Sequence, residues 1–193
     1  MQPRTRGLFG GTFDPPHAGH VAAVRATLED LDLDELVVTV AADPWLKGDP
    51  PSAPGWARLE MATAAFSSID RVVVSDLELR RGGPTYTIDT VEALLRDSPG
   101  DRIVLVVGAD AAASLGAWHR AHDLASLVEI AVVPRPGTEA RAPEEFSVRA
   151  VQMAPVDLSS TAVRAALERG EDPSGLLPEA VVRSVLAHRL YSP

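Results

Sequence analysis

Two histidines three residues apart, His17 and His20, stand in a run of glycines and prolines, GGTFDPPHAGH, at residues 10–20. Side chains at that spacing share one face of a helical turn, and neutral or protonated imidazoles can donate to an anion. The run lies between an apolar segment ending in Gly7, Leu8 and Phe9 and a segment with apolar residues at Val21, Val24, Leu28 and Leu31, the period of a helix face. A strand, a tight turn and a helix start in that order form a place where phosphates dock, because the helix N-terminus presents backbone donors and a positive dipole end. Gly10 and Gly11 let the backbone turn and approach a ligand, and Pro15 and Pro16 stiffen the entry to the helix, whose first N–H groups then point outward. Gly19, inside the first turn, costs about 1 kcal/mol relative to alanine and suits a surface against which something flat must press.

Other chemistry fits those residues less well. Half of a zinc site would need further Cys, His or carboxylate ligands, and the chain has no cysteine. The run lacks the Lys-Ser/Thr pair of a Walker A loop and is not GxGxxG. A purely structural turn followed by polar residues at a helix start remains the alternative to phosphate binding.

The sequence GTFDPPHAGH resembles the (H/T)xGH signature of the nucleotidyltransferase superfamily, and GGTFDPxHxGH resembles its nicotinate mononucleotide adenylyltransferase branch. The resemblance implies that His17 and His20 hold the phosphates of ATP, that Gly19 packs under the adenine, and that Gly10, Gly11, Thr12 and Phe13 belong to the ATP site.

LSSTAVRAALERG at residues 158–170 reads as a short amphipathic helix, with Ser159 and Ser160 as candidate caps, an apolar stripe of Val163, Ala166 and Leu167, and Gly170 as its stop. Arg164 is expected in the first turn, where a cation opposes the helix dipole unless an anion lies between them; a solvated arginine on an exposed face is the plain alternative. The run resembles the family motif ISSTxIR, with Leu158 and Val163 as departures, and by that resemblance Ser159, Ser160 and Arg164 contact the triphosphate.

RGGPTYTIDTVEALL at residues 81–95 places a Gly-Gly-Pro turn before a helix, with Asp89 and Glu92 spaced as a capping box. Backbone N–H groups of Thr85, Tyr86 and Thr87 are candidates for holding a carboxylate; an ordinary capped helix after a loop is the alternative. The family binds nicotinate mononucleotide with a similar segment, and its GAD motif followed by a tryptophan is matched by Gly108, Ala109, Asp110 and Trp118. The resemblance thus assigns Gly108 and Asp110 to ATP, and Thr85, Tyr86, Thr87 and Trp118 to the mononucleotide. A tryptophan suits stacking on a flat heterocycle and equally suits a core. Between Ala41 and Met61 the chain departs from a family turn ending in His-Lys: Leu46 replaces the histidine, whereas Lys47, Arg58 and Met61 align. Lys47 is retained as a phosphate ligand, and Asp43 and Trp45 are left unassigned.

These residues require a scaffold that brings strand ends together. Strand-like runs near 5–9, 35–40, 70–75, 102–107 and 128–133 alternate with helix-like runs at 18–31, 55–67, 87–97 and 109–125, which predicts an α/β, doubly wound, Rossmann-like parallel sheet flanked by helices in a single domain over 1–193. A further strand at 149–153, the Arg164 helix and a last helix at 175–191, started near Pro178, complete the expected order, and Pro134 to Glu145 reads as a loop. At 193 residues the chain can bury about 70% of its unfolded surface. Absence of cysteine, of a charged apolar leader and of a membrane-length apolar run points to a cytoplasmic protein without a membrane partner. A net charge of -9 and a pI near 5.0 argue against a nucleic-acid partner. An anionic nucleotide must then meet a local cationic exception, for which His17, His20, Lys47, Arg164 and Arg135 are candidates.

No activated nucleophile is evident. Transfer of AMP from ATP to a mononucleotide phosphate needs none, because the acceptor is already an anion; His17, His20, Lys47 and Arg164 would stabilise the leaving pyrophosphate, with Mg2+ arriving on the ATP phosphates. The reaction implied by the resemblance yields deamido-NAD and pyrophosphate in NAD biosynthesis. A sister enzyme using nicotinamide mononucleotide or phosphopantetheine, and a non-catalytic nucleotide-binding regulatory module, are the rival readings. Acid or amide preference, and monomer or homo-oligomer, are not legible in the residues.

Overall fold

Strand and helix alternate along almost the whole chain. In the computed structural model, which describes residues 2–44, 50–138 and 141–192, the order is β1 (Thr5–Gly11), α1 (Ala18–Asp30), β2 (Glu35–Val40), α2 (Gly55–Phe66), β3 (Val72–Ser75), α3 (Leu77–Arg81), α4 (Thr87–Asp97), β4 (Arg102–Gly108), α5 (Ala109–Ala113), α6 (Ala121–Leu127), β5 (Val128–Val133), β6 (Val148–Ala150), α7 (Ser160–Glu168) and α8 (Glu179–Ala187). The strands form one six-stranded parallel sheet in the order β3-β2-β1-β4-β5-β6. The order reverses between β1 and β4, which pair from Thr5 with Arg102 to Phe9 with Val106, and in open α/β sheets ligands gather beyond the strand ends at such a reversal. Among the described residues no helix is long and apolar enough to cross a membrane.

Two compact units make up the chain: Met1–Gly10, Ala23–Val38 and Tyr86–Val156 form one, and Gly11–Ala22, Thr39–Thr85 and Asp157–Pro193 the other. In the first, every residue of β4 from Ile103 to Val107 is buried, as expected of a strand covered on both faces. Helix α4 turns Ile88, Val91 and Leu94 into this core, where they join Leu105, Leu115, Leu124, Ile130 and Phe146. In the second, α2 packs on α8: Ala57, Met61, Ala62, Ala65 and Phe66 are buried on one helix, Val181 and Val185 on the other.

Three local expectations need correction, and one short helix was not foreseen. The helix expected over 109–125 is broken into α5, a 3-10 turn at Leu115–Ala117 and α6. Ser114 ends α5 by donating from its hydroxyl to the Ala111 carbonyl at 2.9 Å, and Arg120 enters the left-handed region before α6. The capping box at Asp89 and Glu92 does not form: α4 begins at Thr87, so Asp89 lies within its first turn, and Glu92 pairs with Arg120 at 2.8 Å. The five-residue α3 is too short to show a period, and it ends where Gly82 and Gly83 both take positive φ, the turn that the Gly-Gly-Pro run requires. The last helix is shorter than the segment expected, spanning Glu179–Ala187 with Pro178 before its first turn.

Candidate functional site

The segment from Gly11 to His20 is built around a wedge. Phe13 takes a left-handed backbone conformation (φ 49) and is 2% exposed. Its ring lies over Gly11, where an added Cβ would sit 2.6 Å from Cζ. The absence of a side chain at Gly11 makes room for the Phe13 ring. The same ring meets His20 edge-on at 5.2 Å and Phe66 at 5.4 Å, so it links the α2 core to the histidine.

His17 and His20 stack with centroids 3.7 Å apart and planes inclined by 30°. The His17 backbone N–H donates to Nδ1 of His20 at 3.1 Å, so this nitrogen carries no proton and the ring proton resides on Nε2. The Ala18 N–H donates to the Leu176 carbonyl at 2.9 Å. Two N–H groups that the sequence would leave pointing outward at the start of α1 are thus already engaged. What the turn offers an anion is a pair of stacked imidazoles.

Asp14 holds this turn from inside. Its carboxylate is 4% exposed and accepts from the Ser52 N–H (2.7 Å), the Ala53 N–H (3.0 Å) and the Tyr191 hydroxyl (2.6 Å). Its backbone carbonyl accepts from Nη1 of Arg164 at 2.8 Å, and that guanidinium lies 3.9 Å from the carboxylate. Arg58, 2% exposed, donates to the carbonyls of Thr12 (2.9 Å), Ala41 (2.7 Å) and Ala53 (3.1 Å). Burial lowers the Arg58 pKa from its ordinary value, and the Asp14 charge opposes that shift. Burial, then the hydrogen bond to Asp14, pushes the Tyr191 phenol upward, so it remains a donor.

Helix α7 brings the C-terminal motif to the same turn. Ser159 caps it by accepting from the Ala162 N–H at 3.2 Å, and Ser160 donates to the Pro15 carbonyl at 2.9 Å. Arg164 is the fifth residue of α7, not part of its first turn as expected, because the helix starts at Ser160; its side chain reaches back to Asp14. The structure therefore brings Phe13, His17 and His20 into ring contact and ties Ser160 to Pro15 and Arg164 to Asp14 of the same turn.

The expected mononucleotide residues are placed in part. Thr85 accepts on Oγ1 from the N–H groups of Ala42 (3.0 Å) and Asp43 (3.1 Å), while its own N–H donates to the Asp43 carbonyl at 2.9 Å. That N–H is not available for a ligand carboxylate in this conformation, a correction to the sequence reading. In the other unit Tyr86 precedes α4 and stacks on His119 at 4.2 Å, Thr87 opens α4, and the Trp118 indole N–H donates to Ser114 Oγ at 3.2 Å. Gly108 precedes α5, and Asp110 in its first turn pairs with Arg135. Arg135, expected as a phosphate cation, thus has a carboxylate partner inside its own unit. Gly10 ends on the exposed side of β1, and Gly19 is the second residue of α1. Trp45, Leu46 and Lys47 lie outside the described residues. Sequence reasoning missed Asp14, Tyr191 and His119, and saw Arg58 only as an aligned position. A buried acid in a run read as phosphate-binding was the available signal, since its carboxylate calls for internal donors.

Residues 8–166 match the family model of cytidylyltransferase-like proteins, the class of nucleotidyltransferase that this sheet and turn describe. Relatives described as "probable nicotinate-nucleotide adenylyltransferase" include one from Bordetella avium, 36% identical with 97% of this chain and 98% of that one covered, and one from Salinispora arenicola, 37% identical with 95% and 99% covered. The chain belongs to the cytidylyltransferase-like family and, within it, to the nicotinate-nucleotide adenylyltransferases. The fold is also similar to that of the Plasmodium falciparum nicotinic acid mononucleotide adenylyltransferase complexed with NaAD, with a TM-score of 0.82, 17% identity and 97% of each chain covered.

Proposed function

We propose that this protein transfers AMP from ATP to nicotinate mononucleotide, giving deamido-NAD and pyrophosphate. The observation that carries the reading is the stacked His17–His20 pair at the start of α1, in a turn anchored through Asp14 to Arg164. A phosphate oxygen of the acceptor forms a bond to the α-phosphorus while the bond from that phosphorus to the bridging oxygen of pyrophosphate breaks. The protein need supply no nucleophile. It aligns two anions and stabilises charge growing on the leaving pyrophosphate, and alignment alone can be worth about 7 to 11 kcal/mol in favourable cases. His20 donates from Nε2, the nitrogen that its bond from the His17 N–H leaves protonated, and His17 and Arg164 add donors. Lys47 is assigned the same role, and Gly19 the adenine face.

Among the described residues no cluster of three or more His, Asp or Glu side chains is placed to hold a metal, and the Asp14 oxygens are engaged by Ser52, Ala53 and Tyr191. Mg2+ is assigned to the ATP phosphates, which supply its ligands and bring it in as Mg–ATP. We assign the pyridine ring to the neighbourhood of Trp118 and the activity to the cytoplasm, where ATP is made and used. Incubation with Mg–ATP and nicotinate mononucleotide should yield deamido-NAD, identified by mass, and an equal amount of pyrophosphate. Folded protein that binds ATP and makes neither would contradict the proposal.

A further inference from the structure

Beyond the last helix the chain makes an unusual effort to place one phenol. After α8 ends at Ala187, Arg189 (φ 51) and Tyr191 (φ 58) both adopt the left-handed region, which residues with side chains occupy at a cost that surrounding contacts must offset. The Leu190 N–H returns to the Val185 carbonyl at 3.0 Å and fixes the reversal. The result carries the Tyr191 hydroxyl across 177 positions of sequence to Asp14 Oδ1 at 2.6 Å.

We propose that Tyr191 is a positioning residue for adenylyl transfer: its hydroxyl orients the Asp14 carboxylate, and through Asp14 sets the geometry of the histidine turn and of Arg164. Asp14 ties separate segments to the turn that carries His17. Its side chain takes the Ser52 and Ala53 N–H groups, its carbonyl takes Arg164, and His17 follows three residues later. Without the phenol the carboxylate keeps two backbone donors, so the turn survives while the orientation of its charge relaxes. Loss of one charge-assisted hydrogen bond of this kind is expected to cost about tenfold in rate when the groups it aligns act on the transition state.

The inference rests on the proposed activity, and its test separates the two. Tyr191→Phe retains the ring and removes only the donor. Expected are a kcat about tenfold lower with the KM for Mg–ATP within about twofold, and a change in the ring-nitrogen NMR signals of His20, whose unprotonated Nδ1 reports the bond from the His17 N–H. A purely structural tail would lower Tm and leave kcat and the His20 signals of the folded protein at wild-type values, which overturns the inference. A raised KM with unchanged kcat overturns it as well. Wild-type protein that makes no deamido-NAD is a failure of the proposed function alone; the His20 spectrum then decides, and identical spectra for wild type and Tyr191→Phe overturn the positioning role.

Discussion

His20 uses its two ring nitrogens differently, and that division makes a test at the level of the residue. Nδ1 closes the turn by accepting the His17 N–H, and Nε2 carries the proton that can meet a phosphate oxygen. His20→Ala is expected to lower kcat by about 10²- to 10³-fold with a much smaller change in nucleotide binding, as measured by steady-state kinetics and calorimetry. An unchanged rate with a raised KM would assign the histidine to ground-state binding instead. Gly11 makes a second test. An alanine there would place its Cβ 2.6 Å from the Phe13 ring, which is packed against both Phe66 and His20 and has little room to retreat. Gly11→Ala should destabilise the fold by about 1 to 3 kcal/mol in urea titration; wild-type stability would show that the ring yields. Both histidines and both serines were legible in the sequence because they sit in compact motifs. Asp14 and Tyr191 were not, since the donors to Asp14 come from residues 52, 53, 164 and 191, and only folding reveals that they converge.

At the level of the element, the second unit depends on α2 lying against α8. Glu60 on α2 accepts from Ser184 Oγ at 2.7 Å and meets Nε2 of His188 at 3.0 Å. The Ser184 hydrogen bond, more than His188, holds the Glu60 carboxyl below its ordinary value of 4.5. A carboxyl with a depressed folded-state pKa adds stability above its unfolded value and loses it as pH falls through the folded one. Denaturation measured from about pH 6 down to pH 3 should therefore show an acid-side loss that Glu60→Gln makes shallower. Identical slopes in the two proteins would mean that the α2 to α8 link is not sensitive to this charge. Helices α1, α2 and α4 and the strands β1, β2, β4 and β5 were readable from apolar period alone. The break after α5 was hidden because alanines at 111–113 and Leu115 keep a helical pattern while Ser114 and Gly116 interrupt the backbone. The cap of α4 was misread because the spacing of two acids matched a motif whose first residue must precede the helix.

At the level of the whole molecule, an acidic protein of net charge -9 must receive an anionic substrate. Arg58 illustrates how that conflict is contained: a buried guanidinium spends its donors on carbonyls of three backbone segments and stiffens the turn from within, while Arg164, only partly buried, stands at its edge. The parallel α/β architecture was legible because strands and helices alternate with little interruption. Strands β1 and β2 and helix α1 each contribute residues to both compact units. Chemistry at the turn is tested most directly by pyrophosphate release from Mg–ATP with nicotinate mononucleotide, nicotinamide mononucleotide and phosphopantetheine supplied in parallel. Release with nicotinate mononucleotide alone, or by a large margin, is the result predicted. Equal or greater release with either of the other acceptors, or none with all three from folded, ATP-binding protein, would contradict it.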